Sequence, residues 1–228
     1  MQQNFPPIHN SMQELCSELI YERWIETEKV RDVMFQVDRG DFAPTNPYQN
    51  FPQQIGCNVV ISAPLLHAHC LELLSNYLKE GNKALDIGFG SGYLTVALSK
   101  MMHDKGTVIG IEHIKDLYDF GFKNISKHHK NLINNKNIEL ILGDGRQGCK
   151  DKGKFNCIHV GAASMEVPED LLEQLDYGGR LLMPLGPVGN QYIFVVDKDM
   201  NGNISYRQDL SVTYVPLTSV QNQLNNKG

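Results

Sequence analysis

Three carboxylates and one glycine-broken turn carry the chemistry of this sequence. Asp86 stands in the apolar run Lys83-Ala84-Leu85-Asp86-Ile87, which breaks into Gly88-Phe89-Gly90-Ser91-Gly92 ahead of an apolar stretch at helical spacing. That pattern predicts a buried strand, a tight turn and a helix, with Gly88, Gly90 and Gly92 letting the backbone approach a ligand with no side chain in the way. The spacing is G-x-G-x-G rather than the G-x-G-x-x-G of dinucleotide sites, and the Gly-Lys-Ser/Thr ending of a phosphate loop is missing. Asp86, two residues ahead, repels a pyrophosphate and attracts a ligand carrying an ammonium and a sulfonium. The ligand favoured is S-adenosylmethionine. A second strand, Thr107 to Ile111, leads into Glu112, about twenty residues past the turn, where an acid can accept both ribose hydroxyls. A third, Ile138 to Leu142, leads into Gly143-Asp144-Gly145, which sets the Asp144 carboxylate to meet the adenine amino group.

The elements that must hold these acids follow from periodicity. Predicted strands starting near Lys83, Thr107, Ile138 and Phe155 alternate with helices over Tyr93–Met102, Lys115 to about Asn131, and Pro168–Leu175, as a doubly wound, mostly parallel α/β sheet requires. After a Gly178-Gly179 turn come a strand over Arg180–Leu185 and a hairpin with arms Tyr192–Val196 and Ile204–Arg207 around Asn201-Gly202. Upstream, Ser11 and Glu14 form a capping box for a first helix. Thr27 caps a second, which carries the stripe Val30, Val33, Met34 and Val37 and is expected to end at Gly40. The tail after Asn222 is expected to fray.

Composition narrows the classes of function. The chain has 228 residues and a net charge of −5, which fits one domain and argues against a broad phosphate-binding face, so neither nucleic acid nor membrane is expected as a partner. Five cysteines without a C-x-x-C pair predict neither a disulfide framework nor a metal site. Met1–Asn10 lacks the basic start and apolar core of a leader, and a monomer in the cytoplasm is expected.

Just ahead of the first sheet strand, Val59-Val60-Ile61 reads as a short strand running into Ser62-Ala63-Pro64 and a helix over Leu65–Leu78. A hydroxyl and helix-start amides then meet at one point, where a carboxylate can be held. The same pattern makes Ser62 a helix cap with Pro64 in the first turn, and local spacing does not choose between the two. His67 lies in the first turns of that helix.

Seven blocks in order, from about Ser11 to Gln223, carry a family resemblance. They are Ile61-Ser62-Ala63-Pro64 with His67-Ala68; Ala84-Leu85-Asp86-Ile87-Gly88 with Gly90-Ser91-Gly92; Gly110-Ile111-Glu112-His113; Gly143-Asp144-Gly145-Arg146; Ile158-His159-Val160-Gly161-Ala162-Ala163; Gly178-Gly179-Arg180-Leu181; and Tyr214-Val215-Pro216-Leu217-Thr218. Together they resemble the protein-L-isoaspartate (D-aspartate) O-methyltransferase family. The resemblance implies a Rossmann-like methyltransferase over 1–228, with a helical N-terminal part over 11–80, a cofactor-binding core over 81–185, and a C-terminal hairpin and tail over 186–228. It also implies methyl transfer from S-adenosylmethionine to the abnormal carboxyl group of isoaspartyl and D-aspartyl residues in damaged proteins and peptides. By the same resemblance Ser62 is the active-site serine, and Val59, Val60, Ile61, Ser62 and His67 line the active-site and cofactor region. Asp86, Glu112, His113, Asp144 and Gly145 match cofactor positions, and Thr218 and Gln223 match positions that close over the cofactor.

Two departures stand out. Phe89 replaces a small polar residue in the glycine turn, where it either narrows the methionine pocket or packs into the core. Val60 replaces a common threonine. The implied chemistry is sparse: a carboxyl group with a pKa of roughly 3 to 4 is already ionised at neutral pH and needs no general base. Placement against the methyl donor in a dry pocket is what the site must supply. Rival readings lack their motifs. An amino-directed nucleic-acid methyltransferase needs Asn/Asp-Pro-Pro-Tyr/Phe after the fourth strand, where Gly161-Ala162-Ala163 stands, and a cytosine-directed one needs Pro-Cys.

Overall fold

The structure, a computed structural model, describes residues 8–225. Most of the Met1–Asn10 stretch and 226–228 lie outside the described residues. Helix α1 (Met12–Tyr21) starts where Ser11 Oγ accepts the Glu14 N–H at 3.3 Å. The Glu14 carboxylate takes the Asn10 N–H at 2.8 Å, so the returning half of the expected capping box sits one residue upstream. Helix α2 (Glu28–Gln36) is capped by Thr27, as the sequence predicts, but it stops at Gln36 because Val37 leaves helical backbone at φ −107° and ψ 92°. Gly40 falls instead in the 3-10 turn Arg39–Asp41, where a Cβ would come within 2.9 Å of the Tyr48 hydroxyl.

A two-stranded hairpin follows, formed by β1 (Gln53–Gly56) and β2 (Val59–Ile61) across the left-handed pair Cys57-Asn58 at φ 51° and 57°. Strand β1 escapes sequence reading because the turn pair is Cys-Asn rather than Asn-Gly, the glycine, Gly56, falling at the strand end before it. Helix α3 (Pro64–Leu74) ends before the expected Leu78 by tightening into a 3-10 turn over Ser75–Tyr77.

The α/β layers then run β3 (Lys83–Ile87), α4 (Tyr93–Met101), β4 (Thr107–Glu112), α5 (Lys115–His128), α6 (Lys130–Asn134), β5 (Ile138–Leu142), β6 (Phe155–Val160), α7 (Glu169–Gln174), β7 (Leu175–Leu185), β8 (Gln191–Lys198), β9 (Ile204–Val212) and α8 (Val220–Asn225). Seven strands form one sheet in the order β5-β4-β3-β6-β7-β8-β9, parallel from β5 through β7 and antiparallel at β8 and β9. This is the doubly wound sheet with a C-terminal hairpin that the sequence predicts. Three details depart from expectation. The helix expected to reach Asn131 breaks at His129, which is buried and stacked on Phe42 at 6.3 Å. Gly178-Gly179 is a bulge inside β7 rather than a turn before it, since Phe155 pairs with Leu175 and Cys157 already with Arg180. Where fraying was expected after Asn222, α8 continues to Asn225.

The sheet is packed on both faces. One apolar cluster joins α1, α2, α3 and α4 to it, and a second gathers Leu85, Ile158, Leu171 and Leu181 on the other side. Chain order reverses at β3, with β4 on one side and β6 on the other, so the carboxyl ends of β3 and β6 splay into a crevice. Any ligand of this fold sits there. No helix among the described residues is long and apolar enough to cross a membrane.

Candidate active site

Asp86 and His159 are register partners on β3 and β6, directly beneath the crevice. The Asp86 carboxylate is almost fully buried and accepts hydrogen bonds from Thr95 Oγ1 at 2.6 Å and His159 Nδ1 at 2.9 Å. Burial opposes charge on the His159 ring, yet hydrogen bonds to Asp86 and Cys70 and the Asp86 charge outweigh it and push its pKa up to about 10. At neutral pH the floor of the crevice is therefore an imidazolium–carboxylate pair.

The glycine turn above it has the backbone that its sequence requires. Gly88, Gly90 and Gly92 take φ values of 76°, 49° and 86°, which other residues adopt only at a cost. The turn is tied to the end of β4: Gly88 N–H donates to the Ile111 carbonyl at 2.8 Å, and Gly90 N–H to Glu112 Oε2 at 3.2 Å. Gly88 and Gly90 line the open space, whereas at Gly92 a Cβ would meet the Ile125 side chain at 2.8 Å. Gly92 thus makes room for α5.

A cavity of about 640 Å³ opens beside the turn and is lined by Val59, Val60, Ile61, Ser62, His67 and Asp86 among others, so the sequence-predicted residues of that group converge. Ser62 is not the helix cap. That position belongs to Ala63, and no side chain caps α3. The Ser62 carbonyl accepts from Arg39 Nη2 at 2.6 Å, and its hydroxyl hydrogen-bonds Tyr214, whose own hydroxyl burial pushes well above the ordinary range. His67 is stacked on Tyr93 at 4.8 Å, with Nδ1 3.2 Å from Arg39 Nη1. Burial first, then the Arg39 and His159 charges, hold its pKa well below the usual histidine value, so the ring is neutral.

A narrower cleft of about 40 Å³ adjoins this cavity, sharing Val59, Gly88 and Gly161, and is lined by Glu112, His113, Gly145, Thr218 and Gln223. Glu112 Oε1 accepts the N–H groups of His113 at 2.8 Å and Ile114 at 3.0 Å, which with Gly90 leaves one lone pair on Oε2 for a ligand. Burial raises its pKa against these bonds. His113 Nε2 lies 2.6 Å from Gln223 Oε1, so the C-terminal segment is pinned over the cleft. Asp144 stands just outside, in a neighbouring depression shared with His113 and Ser219. The Arg146 guanidinium grips its carboxylate, with Nε at 3.0 Å and Nη2 at 2.5 Å, and that bond first of all lowers its pKa.

Phe89 is buried in the core while also bordering the wide cavity. Its ring lies edge-on to Tyr118 at 5.8 Å, in a space left by two glycines: a Cβ at Gly121 would come within 2.6 Å of it and one at Gly110 within 3.1 Å. Four residues that touch the site, Arg39, Thr95, His159 and Tyr214, carry no role in the sequence reading. The register of β3 with β6 would have exposed His159 to a reader who paired Asp86 with its neighbour across the crevice. Arg39 gave no local signal.

Comparison with known proteins brings the sequence and the geometry together. A family model for protein-L-isoaspartate(D-aspartate) O-methyltransferase matches residues 10–222. A protein-L-isoaspartate O-methyltransferase of Caenorhabditis elegans is 48% identical over 213 residues, covering 93% of this chain and 94% of its own. One from Triticum aestivum is 44% identical over 203 residues, 88% of each chain. A Plasmodium falciparum crystal structure described as a protein-L-isoaspartate O-methyltransferase, in complex with S-adenosyl-L-homocysteine, superposes with a TM-score of 0.87 at 35% identity, covering 92% of this chain and 99% of that one.

Proposed function

This chain belongs to the protein-L-isoaspartate(D-aspartate) O-methyltransferase family, and from that premise we propose how its two adjoining hollows divide the work. The reaction moves a methyl group from S-adenosylmethionine to the free carboxyl of an isoaspartyl residue in a damaged protein, with D-aspartyl residues as a second substrate. The observation that carries this reading is the continuity of the narrow cleft, with Glu112 and His113, into the wide cavity, with Ser62 and His67, across Gly88.

The donor set fits S-adenosylmethionine. Glu112 retains an acceptor for a ribose hydroxyl, Gly88 and Gly90 present bare backbone, and Asp86 lies beside the turn with its carboxylate taken up by Thr95 and His159. His113, Gly145, Thr218 and Gln223 enclose the adenosine end, with Asp144 at its outer edge, held in place by Arg146. When bound, the sulfonium supplies an activated methyl group. Val59, Val60 and Ile61 form the apolar wall between the two ends. The isoaspartyl carboxylate is ionised without help, so Ser62 acts as a hydrogen-bond donor that aims one of its oxygens. No side chain need take a proton at any stage. The methyl ester then closes to a succinimide by attack of the neighbouring backbone nitrogen, expelling methanol, and water opens the ring.

The protein is read as a monomer of the cytoplasm with no nucleic-acid or membrane partner; the net charge of −5 speaks against a broad phosphate-binding face. The deciding experiment offers methyl-labelled S-adenosylmethionine with a peptide pair differing only in isoaspartate against aspartate. Label confined to the isoaspartyl peptide, and released as volatile methanol in base, is the expected result. Equal labelling of both peptides, or of neither, overturns the reading.

A further inference from the structure

Arg39 is a buried cation with no ion pair to an acid among the described residues. It begins the 3-10 turn Arg39–Asp41, its side chain is fully buried, and it lies over the Tyr93 ring at 5.7 Å. Among the described residues the guanidinium bonds only to the Ser62 carbonyl, at 2.6 Å, and to His67 Nδ1, at 3.2 Å, while its Nε has no partner. Burying a charge without a counter-charge is costly, so a core that keeps one without an ion pair keeps it for its donors. Burial lowers its pKa to about 10, which leaves it charged at neutral pH.

We propose that Arg39 is the positioning residue of the methyl-acceptor site, joining the Ser62 backbone and the His67 ring in one frame so that the Ser62 hydroxyl and the His67 Nε2–H act together on the substrate carboxylate. This rests on the isoaspartyl reading of the cavity. An arginine can only donate, so the His67 nitrogen that faces it must be an unprotonated acceptor. The ring is then neutral, and Nε2–H is its one donor. The charged groups that face His67 are Arg39 from the 3-10 turn and His159 from β6, with Tyr93 of α4 stacked on the ring; both charges are positive and oppose a second proton. Ser62 and His67 both line the cavity, and Arg39 does not, so it acts through them. A planar fork reaches two acceptors at once, which a lysine ammonium on a flexible stem does not reproduce.

The test compares the parent with Arg39→Lys and Arg39→Met, reading nitrogen NMR of the His67 ring together with kcat, KM for an isoaspartyl peptide and Kd for S-adenosylmethionine. In the parent the ring is expected as the Nε2–H tautomer throughout the neutral range. Arg39→Lys should lower kcat by about tenfold or more through lost orientation, with Kd for S-adenosylmethionine changed by less than about threefold, and should mix the two ring tautomers. Arg39→Met, which removes the charge, should raise the His67 pKa toward its ordinary value of about 6.5 and add an acid limb to the kcat/KM profile. A purely structural Arg39 lowers the melting temperature but moves neither the tautomer nor the pH profile, and that outcome overturns the proposal. So does an Nδ1–H ring in the parent, a result that needs no variant to fold. Failure of the parent to methylate the isoaspartyl peptide counts against the function instead, because the ring measurement is independent of turnover.

Discussion

The two hollows are built by opposite means. The cavity around Ser62 is walled by polar side chains bonded inside the protein: Asp86 pairs with His159, and His67 is held by Arg39 from behind the wall. The cleft around Glu112 is covered by a C-terminal segment whose near part is bonded to Ala163 through Val215 and Leu217 and whose far part is fastened by the His113–Gln223 bond. They differ in room as well, about 640 Å³ against about 40 Å³. The smaller volume holds a few waters and is too small for a nucleoside. The lesson is a division between a rigid half that orients the reacting carboxylate and a half that must yield to admit the donor.

The sharpest way to break this comparison is at the rigid floor. Asp86→Asn leaves the His159 imidazolium buried without its partner, and such a loss is expected to cost about 3 to 5 kcal/mol of stability. Urea unfolding measures it, and Asp86→Asn combined with His159→Gln should recover much of that stability. The pH dependence has a definite sign. The folded pKa of His159, about 10, is raised above its ordinary 6.5, so the stability the pair contributes is complete below about pH 6.5 and is lost as pH rises toward 10. The unfolding midpoint of the parent should therefore fall across this range relative to that of His159→Gln; parallel curves would contradict the ion pair.

Phe89 probes the wall behind the glycine turn. Because its ring fills the space over Gly110 and Gly121, Phe89→Ser should cost about 3 kcal/mol or more in thermal or urea unfolding while leaving cofactor affinity nearly unchanged. Tighter cofactor binding without loss of stability would place the ring in the methionine pocket instead.

The sequence was most legible where function needs particular residue types on the backbone. The acids at Asp86, Glu112 and Asp144 and the glycines at 88, 90 and 92 announced the crevice, because strand ends and left-handed turns leave marks within a few residues. Long-range partnerships leave none. Arg39 meets Ser62 and His67 only after β1 and β2 fold between them in the chain, and His159 meets Asp86 only through the parallel register of β3 and β6. Gly178-Gly179 misled for the same reason, since glycines in a bulge and in a turn look alike until the neighbouring strand is known. The Ser62 cap was a fair local reading that Ala63 took over.

At the yielding half the expected effects are smaller. Glu112→Ala removes a charged acceptor and should weaken S-adenosylmethionine binding by about 1.5 to 3 kcal/mol, seen mainly as a raised KM with kcat at saturation close to the parent value. Gln223→Ala removes the bond to His113 and should change stability by about 1 kcal/mol or less. Its mark is kinetic: stopped-flow measurements should show donor association and release both faster than in the parent. Unchanged rates would mean that the C-terminal segment does not govern entry.

The division itself is tested most directly by Ser62→Ala, followed through kcat on an isoaspartyl peptide, calorimetric Kd for S-adenosylmethionine and melting temperature in one preparation. Ser62 caps no helix, and its hydroxyl faces the acceptor side of the cavity in this account. The expected result is a kcat lower by about tenfold or more, since misplacing the attacking oxygen by about an ångström can cost on the order of a hundredfold, with Kd nearly unchanged and stability lower only by the lost bond to Tyr214, about 1 to 3 kcal/mol. A kcat equal to that of the parent, or a loss of donor affinity that accounts for the whole effect, would contradict the separation of an orienting half from a donor-binding half.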